Sequence, residues 1–227
     1  MIHETAPAAD LAGCIEVWWW IDGPPARPIR VLPDGCTDVV FGPDGAFVVG
    51  TMTRSLLVES TSGTFGVRFR PGRAAALLRT PLALLTDARV PLSNVAPRIR
   101  FAGEDIGQIE AELRPFLMDA HYDPRVTAAV DALVETGGRI PVESVASMVG
   151  MSRQHLARSF AVHVGISPKA FARVMRFRRA VALGRAGGRS WADLAAESGY
   201  FDQSHLIADF RELGGDTPVP FFQSPGA

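Results

Sequence analysis

The chain has 227 residues, of which 47% are hydrophobic and 21% are charged, and its formal net charge is −1. This composition excludes a disordered chain and a strongly basic protein, and the length leaves room for two small domains. Cys14 and Cys36 are its two cysteines, and no apolar run approaches the length of a membrane span. We therefore expect a cytoplasmic protein that does not bind membranes.

The N-terminal half, from Cys14 to about Leu78, alternates short β-rich runs with turns rich in glycine and proline. The runs span residues 14–21, 29–32, 38–42, 46–51, 55–61 and 64–70. Six or so short strands at this spacing predict a small antiparallel β-barrel or sandwich. The next segment, residues 71–85, predicts a helix that opens at Pro71 and is broken or kinked at Pro81.

A linker helix is predicted over Gly103 to Asp119, because apolar residues recur there at helical spacing. These residues are Ile106, Ile109, Leu113, Phe116 and Leu117. The segment His121 to Val126 is the predicted joint to the C-terminal half, and Asp123 is expected to cap the helix that follows, about Pro124 to Thr136.

Three consecutive tryptophans, Trp18, Trp19 and Trp20, lie in the first β-rich run. Neighbouring side chains on a strand point to opposite faces, so these three cannot all face inward. At least one is expected to face solvent, a partner or a ligand. The alternative is a tryptophan packed under the terminal segment or under the linker helix.

A helix-turn-helix pattern occurs twice in the C-terminal half. Each copy has a short helix that ends at a glycine, Gly150 or Gly199, and a second helix that begins after an N-cap residue, Ser152 or Asp202. Apolar spacing predicts these buried positions in the first helices: Val142, Val145, Ala146 and Val149, and Trp191, Leu194, Ala195 and Ser198. The buried positions predicted in the second helices are Leu156, Phe160 and Val164, and Leu206, Phe210 and Leu213.

Between the copies, Ser167 to Gly184 predicts one long helix with Pro168 at its first position. Such a helix would act as a rigid spacer between two helix-turn-helix units. Its exposed stripe carries Lys169, Arg173, Arg176 and Arg179. An arginine stripe is by default a solvated face, and the alternatives are contact with phosphate or support of the two units.

Four motifs follow one another in this half: S-x-x-H-L-x-R-x-F, G-I-S-P-x-x-F, R-x-x-x-A and S-G-Y-x-D-Q-S-H-L-x-x-x-F. With them, the stretch from about Asp123 to Phe222 resembles the DNA-binding domain of the AraC/XylS family of bacterial transcription regulators. The resemblance implies an α+β protein with a β-rich sensing or interaction domain, often cupin-like, over residues 1–100. A linker helix over 101–122 and an all-α DNA-binding domain over 123–227 complete this organisation. The segment from Arg30 to Gly42 also resembles a stretch that recurs in a subgroup of these regulators.

The resemblance assigns DNA-facing positions residue by residue. In the first reading helix these are Arg153, Gln154, Ala157 and Arg158, and in the second they are Gln203, Ser204, His205 and Ile207. Arg158 suits a bidentate contact with guanine and Gln154 a contact with adenine, whereas Ala157 offers at most a thymine-methyl contact. Ala208 stands where many relatives have arginine, so we expect mostly phosphate anchoring from the second helix. The candidates for phosphate contact are Ser152, His155, Arg173, Arg176 and Arg179.

The predicted function is a sequence-specific transcription regulator that binds double-stranded DNA, with activation as the commoner mode in the family. The two readers are expected to lie about one duplex turn, roughly 34 Å, apart, or the DNA must bend. A small-molecule effector at the β domain, RNA polymerase and a second subunit are candidate partners. The linker helix either pairs with its copy in such a homodimer or packs on its own β domain.

Two alternatives to this prediction remain open. In one, the β domain binds no ligand and serves as a dimerisation module. In the other, Cys36 accepts a methyl group in DNA repair, but that chemistry depends on zinc held by four cysteines and the chain has two. No catalytic residue and no cofactor are expected. No metal is expected either, because a metal-binding cupin needs several histidines, and the N-terminal half has His3 and His121, both outside the predicted strands.

Overall fold

The computed structural model describes residues 2–23, 28–43, 45–59, 63–99, 101 and 105–223. In the N-terminal half the strands are β1 (Ile2–Thr5), β2 (Ile15–Ile21), β3 (Ile29–Val31), β4 (Thr37–Gly42), β5 (Gly45–Val49), β6 (Leu56–Val58), β7 (Phe65–Phe69) and β8 (Arg89–Pro91). The short helices are α1 (Ala74–Leu78) and α2 (Leu92–Val95), with a 3₁₀ turn at Leu82–Leu84.

Six of these strands form one sheet in the order β1-β2-β7-β4-β5-β8, and β3 pairs with β6 in a separate ribbon. All described pairings are antiparallel. The predicted antiparallel β domain is therefore confirmed. Among the described residues β1 and β8 remain at opposite edges, so a layered sheet fits and a closed barrel is not shown.

A row of buried residues crosses the middle of the sheet. Trp18 pairs with Val67, Val67 with Val39, and Val39 with Val48. All four are at most 1% exposed. Because paired residues share a face, these side chains form a continuous apolar surface.

Helix α3 (Ile106–Met118) packs in the same apolar core as this surface, through Ile109, Leu113 and Leu117. The Trp18 indole Nε1 donates a 2.8 Å hydrogen bond to the Glu110 carboxylate of that helix. The linker helix therefore packs on its own β domain. Phe116 is 40% exposed, and pairing of this helix with a second copy remains a prediction.

The three tryptophans separate as strand geometry requires. Trp18 lies under α3, Trp19 lies against Gly66 and Asp38, and Trp20 stacks on His3 with ring centroids 5.2 Å apart. His3, which we expected outside the strands, is in β1. This prediction was wrong because a four-residue edge strand with a polar composition gives little sequence signal.

The helix predicted over residues 71–85 is also different in the structure. Residues 71–73 form a turn, α1 covers five residues, and the segment after Pro81 is the 3₁₀ turn. Helix α1 ends at Leu78 with Arg79 in the left-handed conformation, and Pro81 precedes the separate 3₁₀ turn, so the predicted helix is broken and not merely kinked. The predicted linker helix begins at Ile106 after its N-cap Asp105, and residues 103 and 104 lie outside the described residues.

The C-terminal half is helical. It contains α4 (Pro124–Glu135), α5 (Val142–Met148), α6 (Arg153–His163), α7 (Pro168–Arg185), α8 (Trp191–Ser198), α9 (Gln203–Gly214) and α10 (Pro218–Gln223). The N-cap of α4 is Asp123, as predicted, and α7 begins at the predicted Pro168 with Ser167 as its N-cap. One apolar cluster joins α4 through α10, so both helix-turn-helix units share a single core.

Candidate nucleic-acid interface

The first unit, α5 and α6, turns as its sequence predicts. Gly150 has a φ of 65°, and the Met151 amide beyond it donates a 2.9 Å hydrogen bond to the Ala146 carbonyl. The Ser152 hydroxyl then accepts a hydrogen bond from the His155 amide at 3.2 Å. A left-handed glycine closes α5 and a serine cap opens α6, so the predicted turn is confirmed.

The second unit, α8 and α9, uses the same devices with one residue more. Gly199 has a φ of 85°, and the Tyr200 amide donates to Ala195 at 2.9 Å. The Asp202 carboxylate accepts from the His205 amide at 2.8 Å. The additional residue, Phe201, stands between Tyr200 and the cap and is 94% exposed.

The reading helices, which we define as α6 and α9, bury the residues that the sequence predicted. Leu156, Phe160 and Leu206 are fully buried. The exposed positions near their starts are Arg153, Gln154, His155 and Arg158 in α6, and Gln203, Ser204, His205 and Ala208 in α9. Ala157 and Ile207 are half-buried. Both helices thus present polar first turns to solvent, whereas contact of these residues with bases stays a prediction.

Arg153 also serves within the protein. Its guanidinium donates a 2.8 Å hydrogen bond to the Glu143 carboxylate of α5, and this contact lowers the pKa of Glu143. Both side chains are largely exposed, so the pair adds little to stability. It does orient Arg153 along the outer surface of the first unit.

The arginine stripe of α7 joins helices of the domain. Arg173 contacts the buried Asp209 at 2.6 Å and Glu212 of α9 at 2.6 Å, which raises the pKa of Arg173 and lowers that of Glu212. Arg176 donates to the Gly138 carbonyl at 2.9 Å, and Arg179 to the Glu197 carbonyl at 3.0 Å. These bonds correspond to the supporting role among our alternatives, and phosphate contact by the same arginines stays a prediction.

Cys36 lies just before β4 and is 7% exposed. Burial raises the pKa of its thiol well above the usual value, and the nearby Asp34 adds to the rise. Methyl acceptance requires a thiolate, so this environment favours a structural role for Cys36.

Beside Cys36, the Arg68 guanidinium donates two hydrogen bonds of 3.0 Å to the Asp38 carboxylate. Within the described ranges, no group of three His, Cys, Asp or Glu residues is placed to hold a metal ion.

Residues 145–224 match a family described as "Helix-turn-helix domain". The C-terminal domain is an AraC-type helix-turn-helix domain. The motifs in α6, α7 and α9 predicted this assignment, and the AraC-type domain supports a DNA-binding transcription regulator.

Residues 3–91 match a second family, described as "Domain of unknown function (DUF6597)". No curated protein matches the chain. Structures of ToxT from Vibrio cholerae resemble it weakly: one covers 100% of this chain and 98% of its own, at 10% identity and a TM-score of 0.45. A ToxT structure with a bound unsaturated fatty acid covers 88% and 91%, at 12% identity and a TM-score of 0.44. Likeness at this level carries no conclusion about the ligand or activity of this chain.

None of the described helices is both long enough and apolar enough to cross a bilayer.

Two features of the AraC-type domain were not predicted. One is Phe201, for which the signal was available, since one more residue separates glycine from cap in the second copy than in the first. The other is a set of contacts with the β domain, for which the sequence carries no local signal.

Proposed function

We propose that this chain is a sequence-specific, cytoplasmic transcription regulator that reads double-stranded DNA with α6 and α9. The observation that carries the proposal is the pair of capped, solvent-exposed first turns mounted on one shared core. Exposed donors near the start of a short helix suit the major groove. RNA polymerase and a second subunit remain candidate partners.

Arg158 is the residue that we expect to contribute most to specificity. It is exposed one turn after the start of α6, and a guanidinium can bridge the O6 and N7 atoms of guanine. The test is selection of bound sequences from random duplex DNA by the full chain, repeated with Arg158→Ala. Arg98→Ala is the matched control, because Arg98 is an exposed arginine of the β domain.

We expect wild type and Arg98→Ala to enrich the same DNA sequence motif. Arg158→Ala should enrich a motif that has lost its base preference at one base pair. Selection at two salt concentrations separates base contacts from phosphate contacts, because phosphate contacts weaken with salt without changing the motif. A wild-type protein that enriches no motif at either concentration would overturn the proposal.

We further propose control by a small-molecule effector at the β domain. The apolar face under α3 is filled by side chains such as Trp18, Val67 and Leu113, so an effector would bind elsewhere on this domain. A cleft of about 620 Å³ lies at the end of the sheet and at the start of α3. Trp20, Phe65, Asp22 and Asp105 line it, which suits a ligand with an apolar body and a positive charge.

A second candidate function, a β domain that binds no ligand, is favoured by the same filled core. Thermal unfolding of wild type and Trp20→Ala in a library of cationic aromatic compounds distinguishes the two. An effector at the cleft raises the melting temperature of wild type but not of Trp20→Ala. If no compound shifts the wild type, the ligand-independent function is the one to keep.

A further inference from the structure

Four of the hydrogen bonds between the two domains fall at the carboxyl ends of the two reading helices. The last carbonyls of an α-helix have no partner within the helix. At the end of α6, the Thr51 hydroxyl donates to the Val164 carbonyl at 2.6 Å and the Thr86 hydroxyl to the Gly165 carbonyl at 2.7 Å. The β domain therefore bonds the carbonyl of the α6 C-cap, Val164, and that of the next residue, Gly165.

The end of α9 is held in the same way. The Ser55 amide donates to the Leu213 carbonyl at 2.8 Å, and the Arg30 guanidinium to the Gly214 carbonyl at 3.1 Å. Ser55 and Arg30 belong to the loop before β6 and to β3, whereas Thr51 and Thr86 are in loops around the large sheet. One domain thus holds both reading helices by the ends opposite to their first turns.

The hydroxyl contact at α6 is fully enclosed. Thr51 is 0% exposed and Thr37 is 3% exposed, and their hydroxyl oxygens are 3.3 Å apart. The single proton of the Thr51 hydroxyl points to Val164, so Thr37 is the donor in the contact between the threonines. A buried chain of hydroxyls leading to a carbonyl is costly to open without water to replace it.

Backbone fit shows how closely the domains approach. Gly35 has a φ of 81°, and a Cβ atom there would lie 2.3 Å from the Phe171 ring of α7. Gly165, at a φ of 94°, would place a Cβ atom 3.2 Å from both the Leu82 carbonyl and the Thr51 hydroxyl. Leu32 also packs on the core of the helical domain. A Cβ atom at Gly35 would overlap the Phe171 ring, and one at Gly165 would make a tight contact with Leu82 and Thr51.

We propose that the β domain is a brace for DNA reading, in which Arg30, Thr51, Ser55 and Thr86 are positioning residues that set the separation and angle of α6 and α9. This inference rests on the proposed function. Helix α6 has 11 residues and is about 16 Å long, so the brace lies well away from the first turns. Both first turns are exposed while these contacts are in place. In this proposal the form with the contacts made is therefore the one that reads DNA.

The first test compares Gly35→Ala with Gly63→Ala in the full chain. Gly63 has a φ of 83° and no described atom within 4 Å of a Cβ position, so both variants strain the backbone alike. Only Gly35→Ala drives a carbon into Phe171 and separates the domains. The readouts are the radius of gyration from solution scattering and binding to the selected operator with its half-site spacing changed by one base pair.

We expect wild type and Gly63→Ala to be compact and to bind the altered spacing about tenfold more weakly. Gly35→Ala should be more extended and should lose most of this discrimination. The double variant Thr51→Val/Thr86→Val removes two donors without a steric clash and should also relax the spacing, and Thr80→Val is its control because the Thr80 hydroxyl bonds Leu78 in its own domain.

If both Gly35→Ala and the double variant keep the wild-type discrimination, the brace is wrong while the proposed function stands. If wild type itself selects no operator, the proposed function fails first.

Discussion

The two helix-turn-helix units share a frame and differ in what they expose. Leu156 and Phe160 of α6 match Leu206 and Phe210 of α9, and all four are fully buried. The outer positions diverge, since Arg158 of α6 corresponds to Ala208 of α9. The buried residues determine the fold of each unit, whereas the exposed residues can differ without disturbing that fold and so can change which groups the unit contacts. On this difference we propose that the first unit reads bases and that the second unit mainly anchors on phosphate.

The largest expected effect tests the shared frame. Phe160→Ala and Phe210→Ala each empty a fully buried site, and each should cost about 3–5 kcal/mol of unfolding free energy. Urea unfolding followed by circular dichroism measures both. Phe201→Ala is the control, because that ring is exposed and should cost little. A first unit that tolerates the loss while the second does not would show that the frames are unequal.

Next in size are the N-caps. Ser152→Ala and Asp202→Ala should each cost about 1 kcal/mol, because the cap satisfies an amide at the start of the helix. Asp202→Ala should cost somewhat more, since a carboxylate also interacts favourably with the helix dipole. Asp202→Asn retains the acceptor without the charge and should lie between wild type and Asp202→Ala. An equal loss of unfolding free energy in Asp202→Asn and Asp202→Ala would show that the hydrogen-bond acceptor at the cap does not contribute.

Phe201 sharpens the comparison on the second unit. An exposed ring just before the cap of α9 is suited to contact a thymine methyl group in the major groove. Replacing that thymine by deoxyuracil removes one methyl group and should weaken wild-type binding about fourfold, from about 0.8 kcal/mol. Phe201→Ala should be insensitive to the replacement. Equal sensitivity of the two proteins at every thymine would show that the ring does not touch DNA.

The smallest effect concerns pH. Arg173 lowers the pKa of Glu212 through their hydrogen bond, so the pair stabilises the fold above the unfolded pKa of about 4.3 and loses this as pH falls through the folded pKa. Glu212 is largely exposed, so the contribution is small. Glu212→Gln should flatten the fall of stability between about pH 5 and pH 3. Glu135→Gln, an exposed glutamate of α4, is the control and should leave the slope unchanged.

Local patterns predicted the helical half well. The caps at Asp123, Ser152 and Asp202, and the start of α7 at Pro168, depend on residues within one turn, which sequence spacing records directly. Strands β1 and β8 were missed because they are short edge strands of mostly polar or proline-containing sequence, IHET and RVP, whereas the equally short β3 and β6 lie in apolar runs. The hydrogen bonds between the two domains could not be predicted from local sequence patterns, because Thr51 and Thr86 lie 113 and 79 residues from their partners along the chain.

The most direct test of unequal reading is the motif itself. Selection with the full chain should give a half-site of strong base preference for α6 and a second half-site, about one duplex turn away, of weak preference. Ala208→Arg should strengthen the second half-site by about 1–3 kcal/mol at one base pair and leave the first unchanged. Two half-sites of equal preference in the wild type, or an Ala208→Arg variant that changes the first half-site alone, would contradict the account.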